Sequence, residues 1–561
     1  MQAHTAPLSY AHGPPLAAEA GIGALTLGGY LREVTERFGP REAAVLRTGD
    51  HAERWTYAAL WERSVEVARA LTACGVGKGV RVGVLMTNRP EFLAAVFGTA
   101  LAGGVATTIS TFFTAAELDE VLKASSCSVL LFEASVLKKD FAAVLCALEP
   151  RIAQAAPGRV ASVRYPFLRH LAAVGASGHG AIETWADFLA RGEGVSPERV
   201  EARAAAVSPA DPATLFFSSG STGKAKGILS DHRAVCLQLW RWKLWYGIDA
   251  PPRTWSSNGF FFSGNFASGL GGTLSAGGAL ILQRWFDAED ALRLMEQERA
   301  TMLLAWPHQM AQLQAAPNYA SADLSAMHYV DAASPIAQHP TIATDWRQPG
   351  HAYGCTETFT LITVYPSGTP AEVAGASHGR PTAGSSIKVV DPLTGVPAPL
   401  GDRGEVAVKG PTLMLGYLGA PLDETLDEEG YFHTGDGGWL DADGRLFWEG
   451  RLSDIIKTGG ANVSPQEVDQ VIRTLPGVKI SQTVGVPDAL LGELVVACVV
   501  PHEGVVLDEA QVQAGARARL ASYKAPRRVL FFTEDALKTT GSAKIKTADL
   551  RQLAAQRLRD G

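Results

Sequence analysis

A loop that is dense in glycine and hydroxyl residues, and that carries lysines, is the stretch of this chain best suited to chemistry. It follows the apolar run 215–217, and its candidate phosphate ligands are Ser218, Ser219, Gly220, Ser221, Thr222, Gly223 and Lys226. Glycines permit tight turns that expose N–H groups, hydroxyls donate hydrogen bonds and lysines supply charge, so such a loop can wrap a polyphosphate. It is not a Walker loop, because it lacks the four-residue spacer that separates the first Gly of that motif from Gly-Lys-Ser/Thr. A Ser/Gly hinge remains the alternative at this point.

The composition bounds the class of protein. With 47% apolar and 19% charged residues, the 561-residue chain resembles an ordinary globular protein, and its length predicts more than one domain. The net charge of −7 argues against a nucleic-acid-binding protein, which usually has a basic face. The six cysteines form no Cys-x-x-Cys pair, which indicates a reducing compartment and no structural zinc. No apolar run predicts a membrane span, and we expect a cytoplasmic protein.

Helical and strand patterns alternate along residues 25–210. Apolar residues recur at helical spacing over residues 60–74 and stop at Gly75, and residues 80–86 predict a buried strand. Strands that alternate with helices imply a largely parallel sheet covered on both faces. Residues 1–24 are rich in Ala, Pro and Gly without the character of a signal peptide, and they predict a flexible or loosely docked tail.

Towards the carboxyl end of the chain the pattern changes. Residues 379–450 contain short strands and Gly/Asp turns, which suit a small antiparallel barrel. Residues 455–561 predict a small α+β domain. Its first helix is expected to begin with a capping box formed by Ser464 and Glu467.

Five further segments follow the loop in order and strengthen its interpretation. They are residues 330–335, 353–358, 431–436, 450–465 and 540–546. Together with the loop they resemble the signature motifs of the adenylate-forming superfamily, which contains acyl-CoA synthetases, aryl-CoA ligases, luciferases and the adenylation domains of peptide synthetases. The resemblance covers about residues 25–555 and is strongest to the acyl-CoA synthetases.

The fold that this resemblance implies is α/β. A large N-terminal domain, residues 25–452, would contain two α/β sheet subdomains plus a small β-barrel and would hold the ATP and acyl sites. A small, mobile α+β C-terminal domain, residues 453–561, would follow it. The hinge between the domains is expected at Ser453, where the family usually has Asp or Lys.

The same motifs imply roles for individual residues. The AMP-binding residues would be Ala333, Ser334, Pro335, Tyr353, Gly354, Asp436 and Arg451. The tyrosine ring would stack on adenine, and Asp436 would accept both ribose hydroxyls, a role that suits a carboxylate. The catalytic residues would be Thr356, Glu357 and Lys544, of which Glu357 would also bind Mg²⁺, a cation that prefers oxygen ligands. The loop of the thioester step would contain Lys457, Gly459 and Gly460.

Two aromatic segments, residues 240–246 and 256–266, bear on the substrate. Taken alone, each segment either lines a cavity or forms core, and core is the commoner role. The resemblance implies that the second segment forms part of the acyl pocket, with Phe261, Phe262 and Gly264, although Phe262 stands where the family usually has His. This segment contains no acidic residue to hold an ammonium group, so an α-amino acid is not expected. The abundant glycines leave room for a bulky apolar acid.

The implied reaction has two steps. ATP and a carboxylic acid, with Mg²⁺, would form acyl-AMP and pyrophosphate, and coenzyme A would then take the acyl group and release AMP. The alternatives are transfer to the pantetheine arm of a carrier protein, a luciferase-like oxidation and a non-catalytic nucleotide-binding relative. Retention of Glu357, Asp436, Arg451 and Lys544 argues against the last of these. The substitution of Ala543 for the usual Gly leaves the path of the Lys544 loop open, and the oligomeric state is also open.

Overall fold

The computed structural model describes residues 7–175, 178–219, 225–458, 461–520, 523–536 and 547–560. The strands are β1 Tyr10–His12, β2 Glu42–Thr48, β3 His51–Thr56, β4 Arg81–Leu85, β5 Val105–Thr108, β6 Val129–Glu133, β7 Ser135–Val136, β8 Lys139–Asp140, β9 His170–Val174, β10 Ile182–Thr184, β11 Pro212–Ser219, β12 Ala225–Asp231, β13 Arg253–Ser256, β14 Ala279–Leu282, β15 Met302–Leu304, β16 Ala352–Cys355, β17 Thr360–Val364, β18 Arg380–Pro381, β19 Ser386–Val390, β20 Gly404–Lys409, β21 Gly416–Tyr417, β22 Phe432–Leu440, β23 Leu446–Arg451, β24 Ile456–Thr458, β25 Ala461–Val463, β26 Val478–Asp488, β27 Gly492–Pro501 and β28 Arg528–Phe531. The α-helices are α1 Leu27–Phe38, α2 Tyr57–Ala73, α3 Pro90–Leu101, α4 Ala115–Ser125, α5 Phe141–Leu148, α6 Arg151–Gln154, α7 Trp185–Ala190, α8 Pro197–Ala205, α9 His232–Trp245, α10 Ser263–Asn265, α11 Gly272–Ser275, α12 Ala288–Gln297, α13 Pro307–Ala315, α14 Ala371–Ala374, α15 Pro465–Arg473, α16 Glu509–Arg517 and α17 Thr547–Asp560.

The chain divides into two compact units. The larger unit contains residues 12–386 and 409–432, and the smaller unit contains residues 7–11, 387–408 and 433–560. Strands and helices alternate along most of the larger unit, as the sequence predicts. The expectation of a mixed α/β protein with a large N-terminal part is therefore confirmed.

An eight-stranded sheet forms one half of the larger unit. Its order is β10-β9-β6-β4-β5-β11-β12-β21, in which the strands from β10 to β11 are parallel and the last two are antiparallel. Successive residues of β6 contribute to different cores, because Val129 and Leu131 belong to one apolar cluster and Leu130 and Phe132 to another. This alternation shows that the sheet is covered on both faces, which is typical of parallel sheets.

A five-stranded sheet forms the other half of the larger unit. Its order is β15-β13-β14-β2-β3, and its first four strands run parallel while β3 is antiparallel to β2. A smaller antiparallel sheet, β16-β17-β18, belongs to the same unit. In α/β sheets ligands bind beyond the carboxyl ends of parallel strands, which directs attention to the loops after β5, β11 and β13.

The smaller unit contains two sheets. The region that was expected to form a small antiparallel barrel contributes to the sheet β1-β19-β20-β22-β23. The second sheet has the order β25-β24-β27-β26, with β28 beside β27. Val468 and Val512, from α15 and α16, pack with Val495 and Val499 of β27, whereas Leu550 of α17 packs with Val496 and its neighbours. Helices thus cover both faces of this sheet, and the α+β character expected here is confirmed.

The first described residues differ from the expected flexible tail. In the smaller unit, β1 is an edge strand next to β19. In the larger unit, the Glu19 carboxylate accepts from the Arg241 guanidinium, with Nε–Oε1 at 2.9 Å and Nη2–Oε2 at 2.7 Å. Arg241 has no exposed side-chain surface and also donates to the carbonyl of Ala383. A composition rich in Ala, Pro and Gly cannot reveal such long-range partners.

The predicted capping box at the start of α15 is wrong. Ser464 makes no side-chain cap, because its hydroxyl donates to the carbonyl of Glu449. The Glu467 carboxylate instead accepts from Lys524 Nζ at 2.6 Å and 2.7 Å. Tertiary partners have replaced the local bonds that the sequence pattern favours.

No helix in the described part of the chain has both the length and the apolar character that a membrane span requires.

Candidate active site

The predicted phosphate loop joins β11 to β12. These antiparallel strands pair Ser218 with Lys226 and Ser219 with Ala225. The hairpin therefore holds Ser218 and Lys226 side by side at the base of the loop, and the Lys226 side chain is exposed. The remaining predicted ligands lie outside the described residues: Gly220, Ser221, Thr222 and Gly223.

A strained turn carries Thr356 and Glu357. Both residues lie in the short 3₁₀-helix Thr356–Thr358 between β16 and β17. The turn ends at Phe359 with φ of 50°, and φ of Thr360 is 128°. Residues other than glycine rarely adopt positive φ, and such conformations persist where surrounding contacts over-determine them.

The contacts that hold this turn come from its own threonine. The Thr358 hydroxyl donates to the carbonyl of Thr360 at 2.7 Å and accepts from the amide of Cys355 at 3.0 Å. A Cβ atom at Gly354 would lie 1.8 Å from the carbonyl oxygen of Thr360, so only glycine fits there. The Tyr-Gly-Cys-Thr-Glu-Thr sequence is thus the sequence of a closely packed turn that aims Glu357.

Tyr417 connects this turn to the phosphate hairpin. Its hydroxyl donates to Glu357 Oε1 at 2.7 Å, and the ammonium group of Lys226 lies 5.0 Å from the centre of its ring. Pairing of β21 with β12 sets Tyr417 opposite Ile228 and explains this position. The sequence analysis missed Tyr417, because a Gly-Tyr pair outside any motif carries no signal and only the non-local strand pairing reveals its neighbours.

Three buried rings lie beneath these motifs and form what we call the aromatic base. Phe216 of β11 is 5.5 Å from Phe359 of the turn and 5.7 Å from Phe266, between ring centroids, and Phe266 is 6.2 Å from Phe359. Each ring is at most 2% exposed. Edge-to-face contacts of this kind stabilise a defined arrangement of rings. The aromatic base therefore joins the phosphate hairpin, the Glu357 turn and the predicted acyl segment into one packed body.

The acyl segment is anchored by Asn88, whose long-range partners the sequence does not reveal. Asn88 Oδ1 accepts from the amide of Phe260 at 2.8 Å, and its Nδ2 donates to the carbonyl of Asn258 at 2.7 Å. Asn88 lies after β4, so this contact joins the two large sheets. Phe266–Gly271, which follows, is a π-helix, a form that is often found at functional sites.

The predicted acyl residues differ in exposure. Phe261 is buried and Phe262 is half-buried, whereas Gly264 is exposed and a Cβ atom there would meet nothing within 4 Å. The earlier aromatic segment, residues 240–246, forms core, since its largest side chains are buried: Trp240, Trp242, Trp245 and Tyr246. The first segment is therefore core, which is the commoner role of aromatic clusters.

The predicted adenine-binding turn has its own hydrogen bonds. Asp331 Oδ1 accepts from the amide of Ala333 at 2.9 Å, and the Ser334 hydroxyl donates to the carbonyl of Asp331 at 2.6 Å. Ala333 and Pro335 are exposed, whereas Tyr353 is only 5% exposed. The turn is thus exposed at Ala333 and Pro335, whereas the tyrosine ring is largely covered.

In the smaller unit, the two predicted ribose ligands lie next to each other. Asp436 and Arg451 are direct partners in the antiparallel pair of β22 and β23, and their Oδ1 and Nε atoms are 3.1 Å apart. Arg451 also donates to the carbonyl of Thr434. Asp436 is 3% exposed while the Arg451 side chain is half-exposed, so the arginine presents its outer edge to solvent.

The predicted hinge and thioester loop are exposed parts of the smaller unit. Ser453 is exposed and donates to Asp454 Oδ1 at 3.4 Å, and burial raises the pKa of the Asp454 carboxyl. The side chain of Lys457 is exposed, while its amide donates to Glu493 Oε2 at 2.7 Å. Three further predicted residues lie outside the described part of the chain: Gly459, Gly460 and Lys544.

The donor set at Glu357 suits one kind of metal. Among the described residues, no group of three or more His, Cys, Asp or Glu side chains could hold an ion. Mg²⁺ commonly binds one or two carboxylates together with water and substrate phosphates. A single oriented carboxylate beside a phosphate hairpin fits that requirement, and it does not fit a cation that needs a full protein cage.

Two family models match the chain. The model of AMP-binding enzymes matches residues 31–418, and that of the AMP-binding enzyme C-terminal domain matches residues 467–544.

Similar proteins agree with these matches. A 3-[(3aS,4S,7aS)-7a-methyl-1,5-dioxo-octahydro-1H-inden-4-yl]propanoyl:CoA ligase of Mycobacterium tuberculosis is 33% identical over 513 residues, which cover 89% of this chain and 94% of that protein. A feruloyl-CoA synthase of an Amycolatopsis species is 31% identical over 523 residues, which cover 92% and 96%. The solved structure of the anthranilate CoA ligase AuaEII with anthranoyl-AMP has the same fold, with a TM-score of 0.77 at 23% identity over 96% of this chain and 98% of that chain.

The first family model alone spans more than half of the chain, and it covers both large sheets with the phosphate hairpin and the Glu357 turn. This protein is therefore an enzyme of the AMP-binding family, within the adenylate-forming superfamily that includes the acyl-CoA synthetases.

Proposed function

We propose that this enzyme is an AMP-forming acid–thiol ligase that joins a bulky, apolar carboxylic acid to coenzyme A. The observation that carries the proposal is the cluster of Lys226, Tyr417 and Glu357, which sets a cation and an oriented carboxylate beside the phosphate hairpin. Relatives named as CoA ligases match nearly the whole chain, which supports the thiol as acceptor.

In the first step, a carboxylate oxygen of the acid attacks the α-phosphorus of ATP, and the bond to pyrophosphate breaks. Such a transfer needs positioning and charge neutralisation rather than covalent help from the protein. Ser218 and Lys226, with the loop between them, bind the outer phosphates, and Thr356 donates its hydroxyl to the α-phosphate. Lys544 brings a further positive charge to the α-phosphate.

Glu357 is the residue that would hold Mg²⁺. The bound ion would supply positive charge opposite the phosphate oxygens. Tyr417 orients the carboxylate by donating to one of its oxygens, which leaves the other oxygen for the cation.

The residues proposed to bind AMP fall into an adenine group and a ribose group. Ala333, Ser334 and Pro335 line the adenine with Tyr353, while Gly354 allows the close approach of the backbone that this turn requires. Asp436 accepts from the ribose hydroxyls, and Arg451 both fixes Asp436 and donates to the ribose.

In the second step, the thiol sulfur of coenzyme A attacks the acyl carbon, AMP leaves and the thiol proton passes to solvent. We assign this step to a C-terminal domain of residues 453–561 that turns about Ser453, so that Lys544 departs and the Lys457 strand with Gly459 and Gly460 takes its place. Small residues there let the narrow thiol arm pass. Gating by a hinge of this kind makes the two half-reactions separable by mutation.

The substrate class follows from the acyl segment. Phe261 and Phe262 offer apolar surface, Gly264 leaves open space, and no acidic residue lies between residues 260 and 266 to hold an ammonium group. The two curated relatives are named for a bicyclic propanoyl group and a feruloyl group, which supports a ring-bearing acid. Transfer to a carrier protein remains the alternative acceptor, since both acceptors end in the same thiol arm.

The experiment that tests this function measures pyrophosphate release from ATP and Mg²⁺ over a panel of acids, with and without coenzyme A. The panel runs from short fatty acids through aryl acids to polycyclic acids. We expect repeated turnover only with coenzyme A and only for a ring-bearing class. One equivalent of pyrophosphate regardless of coenzyme A would favour a carrier-protein acceptor, and no release with any acid would contradict the proposal. Glu357→Gln serves as the control for release that does not arise at this site.

A further inference from the structure

One exposed aromatic ring contacts the acyl segment. Phe112 is 55% exposed. Its ring centroid nevertheless lies 5.5 Å from that of Phe261, at an interplanar angle of 88°, and 6.3 Å from that of Phe262. Phe261 and Phe262 also meet each other edge-on at 4.8 Å. The three rings form what we call the outer ring cluster, in which Phe112 is the member open to solvent.

A lysine fixes the loop that carries Phe112. Lys139 Nζ donates to the carbonyl oxygens of Thr111, Phe112 and Phe113, each at 2.9 Å. An ammonium group has three protons, so these bonds satisfy all of them. Burial lowers the pKa of Lys139, which indicates that the ammonium group is held partly out of water.

The position of both residues is set by the sheet. The loop follows the carboxyl end of β5, where Ile109 donates its amide to the carbonyl of Val84, and the amide of Phe112 donates to the Ser110 hydroxyl at 3.2 Å. Lys139 comes from the hairpin of β7 and β8, in which it pairs with Val136. The lysine thus clamps a loop at the edge where α/β sheets bind their ligands.

We propose that Phe112 is a specificity-determining residue that forms the outer wall of the acyl site and contacts an apolar ring of the acid, and that Lys139 is the positioning residue that holds it there. This inference rests on the proposed function. It adds a residue from the loop after β5 to the acyl site that the segment after β13 is proposed to form.

The chemistry of the cluster selects the occupant. Its three members are phenylalanines, and Gly264, two residues after Phe262, adds no side chain, so the three rings offer apolar surface. Phe112 touches Phe261 edge-on and therefore keeps ring surface available for another aromatic or alicyclic ring. A clamp of three hydrogen bonds on an exposed loop is expected where the position of one side chain matters, because an unclamped surface loop would let the ring turn away.

The first test compares Phe112→Ala with Phe167→Ala, which removes another exposed phenylalanine of the same unit. The readout is kcat/KM for a ring-bearing acid and for a short acid that cannot reach the outer wall, together with KM for ATP. We expect Phe112→Ala to lower kcat/KM for the ring-bearing acid by about three- to tenfold, the size of one aromatic contact. The values for the short acid and for ATP should stay unchanged, and Phe167→Ala should change none of them.

The second test addresses the clamp with Lys139→Met and its exposed neighbour Lys138→Met as the matched control. Lys139→Met should reproduce the selectivity change of Phe112→Ala, while Lys138→Met should not. The double variant Phe112→Ala/Lys139→Met should be no more altered in selectivity than Phe112→Ala alone, because the lysine acts through the ring.

Each contrary result has a distinct meaning. Suppose that wild type turns over a ring-bearing acid. If Phe112→Ala then behaves like Phe167→Ala, or affects every acid equally, this inference is overturned while the proposed function stands. If Lys139→Met and Phe112→Ala are additive, the clamp does not act through Phe112. If wild type releases no pyrophosphate with any acid, the proposed function fails and this inference fails with it.

Discussion

The predicted site residues at the centre of the larger unit and those at the predicted hinge of the smaller unit differ in how the surrounding structure supports them. The Glu357 turn, the phosphate hairpin and the acyl segment all rest on the aromatic base of Phe216, Phe266 and Phe359, whose rings are almost fully buried. Ser453 and Lys457 instead lie on exposed backbone. A group that must meet a transition state accurately benefits from packed support, whereas a hinge must change its backbone angles.

This contrast assigns different kinds of sensitivity to the two regions. Substitutions in the aromatic base should change stability and catalysis together, because the same rings hold the fold and the site. Substitutions at the predicted hinge and at Lys544 should separate one half-reaction from the other while stability stays the same. Changes at Phe359, Lys544, His232 and Tyr417 probe the support and the chemistry of these units, in order of decreasing expected effect.

Phe359→Ala should be the most damaging of these changes. It removes a buried ring from the centre of the aromatic base, and Phe→Ala in a core typically costs about 3–5 kcal/mol. We expect a loss of this size in the free energy of unfolding, measured by denaturant titration, together with weaker adenylation. The exposed Phe167→Ala should leave both unchanged. A stable Phe359→Ala enzyme with normal adenylation would show that the base does not position the site.

Lys544→Ala should separate the two half-reactions. Loss of a charge that acts only on the adenylation transition state should lower acyl-AMP formation by about 10²–10³-fold. Thioester formation from supplied acyl-AMP should remain near the wild-type rate, and the neighbouring Lys546→Ala should retain both steps. Equal loss of both half-reactions would contradict the assignment of this lysine and the separation of regions drawn here.

Acid should destabilise the larger unit through His232. Burial lowers the pKa of this imidazole to about 4, and its Nδ1 accepts from the amide of Leu27 at 3.1 Å, a bond that protonation would break. The unfolded chain has the ordinary pKa of about 6.5, so it binds the proton more readily between pH 6.5 and 4, and stability is lost as the pH falls through that window. The loss should approach about 3 kcal/mol.

The variant that checks this source of acid sensitivity is His232→Gln, whose amide oxygen can accept from Leu27 without titrating. Its free energy of unfolding should fall less than that of wild type between pH 7 and 4. His51→Gln, at an exposed histidine, should follow the wild-type profile. Identical profiles for His232→Gln and wild type would assign the acid sensitivity to other groups.

Tyr417→Phe should have the smallest effect of the four. It removes the hydroxyl that donates to Glu357 and keeps the ring beneath Lys226. A hydrogen bond to a charged group contributes about 1.5–3 kcal/mol, so KM for MgATP should rise by about ten- to a hundredfold. Calorimetry should show weaker ATP binding as well, which a purely structural role of Tyr417 would not produce. Tyr523→Phe is the matched control, and an unchanged KM in Tyr417→Phe would remove Tyr417 from the site.

Local patterns in the sequence predicted the elements whose signals are local. The helix over residues 60–74 appears as α2 and ends before Gly75, which has a positive φ of 83°. The strand over residues 80–86 appears as β4. Periodicity and a helix stop signal suffice for such elements, because neighbouring residues determine them.

The contacts that position the site were not predictable in the same way. Tyr417 reaches Glu357 across 60 positions, and Lys139 reaches the Phe112 loop across 26 to 28 positions. Asn88 precedes a helix, but its side chain forms hydrogen bonds with the backbone of residues 258 and 260. Each of these contacts depends on which strands become neighbours in the sheets. The residues next to Tyr417, Lys139 and Asn88 in the sequence do not indicate that pairing.

The ion pair between Glu19 and Arg241 has a practical consequence for anyone who shortens this chain. A version that begins at residue 25 would look harmless from the composition of the segment it removes. It would leave the Arg241 guanidinium enclosed with its counter-charge deleted, and uncoupling a buried pair in this way costs about 3–5 kcal/mol. Boundaries for expression, domain exchange or fusion should therefore be drawn before Glu19, and proteases that cut between Glu19 and Leu27 should loosen the helix α9 that carries Arg241.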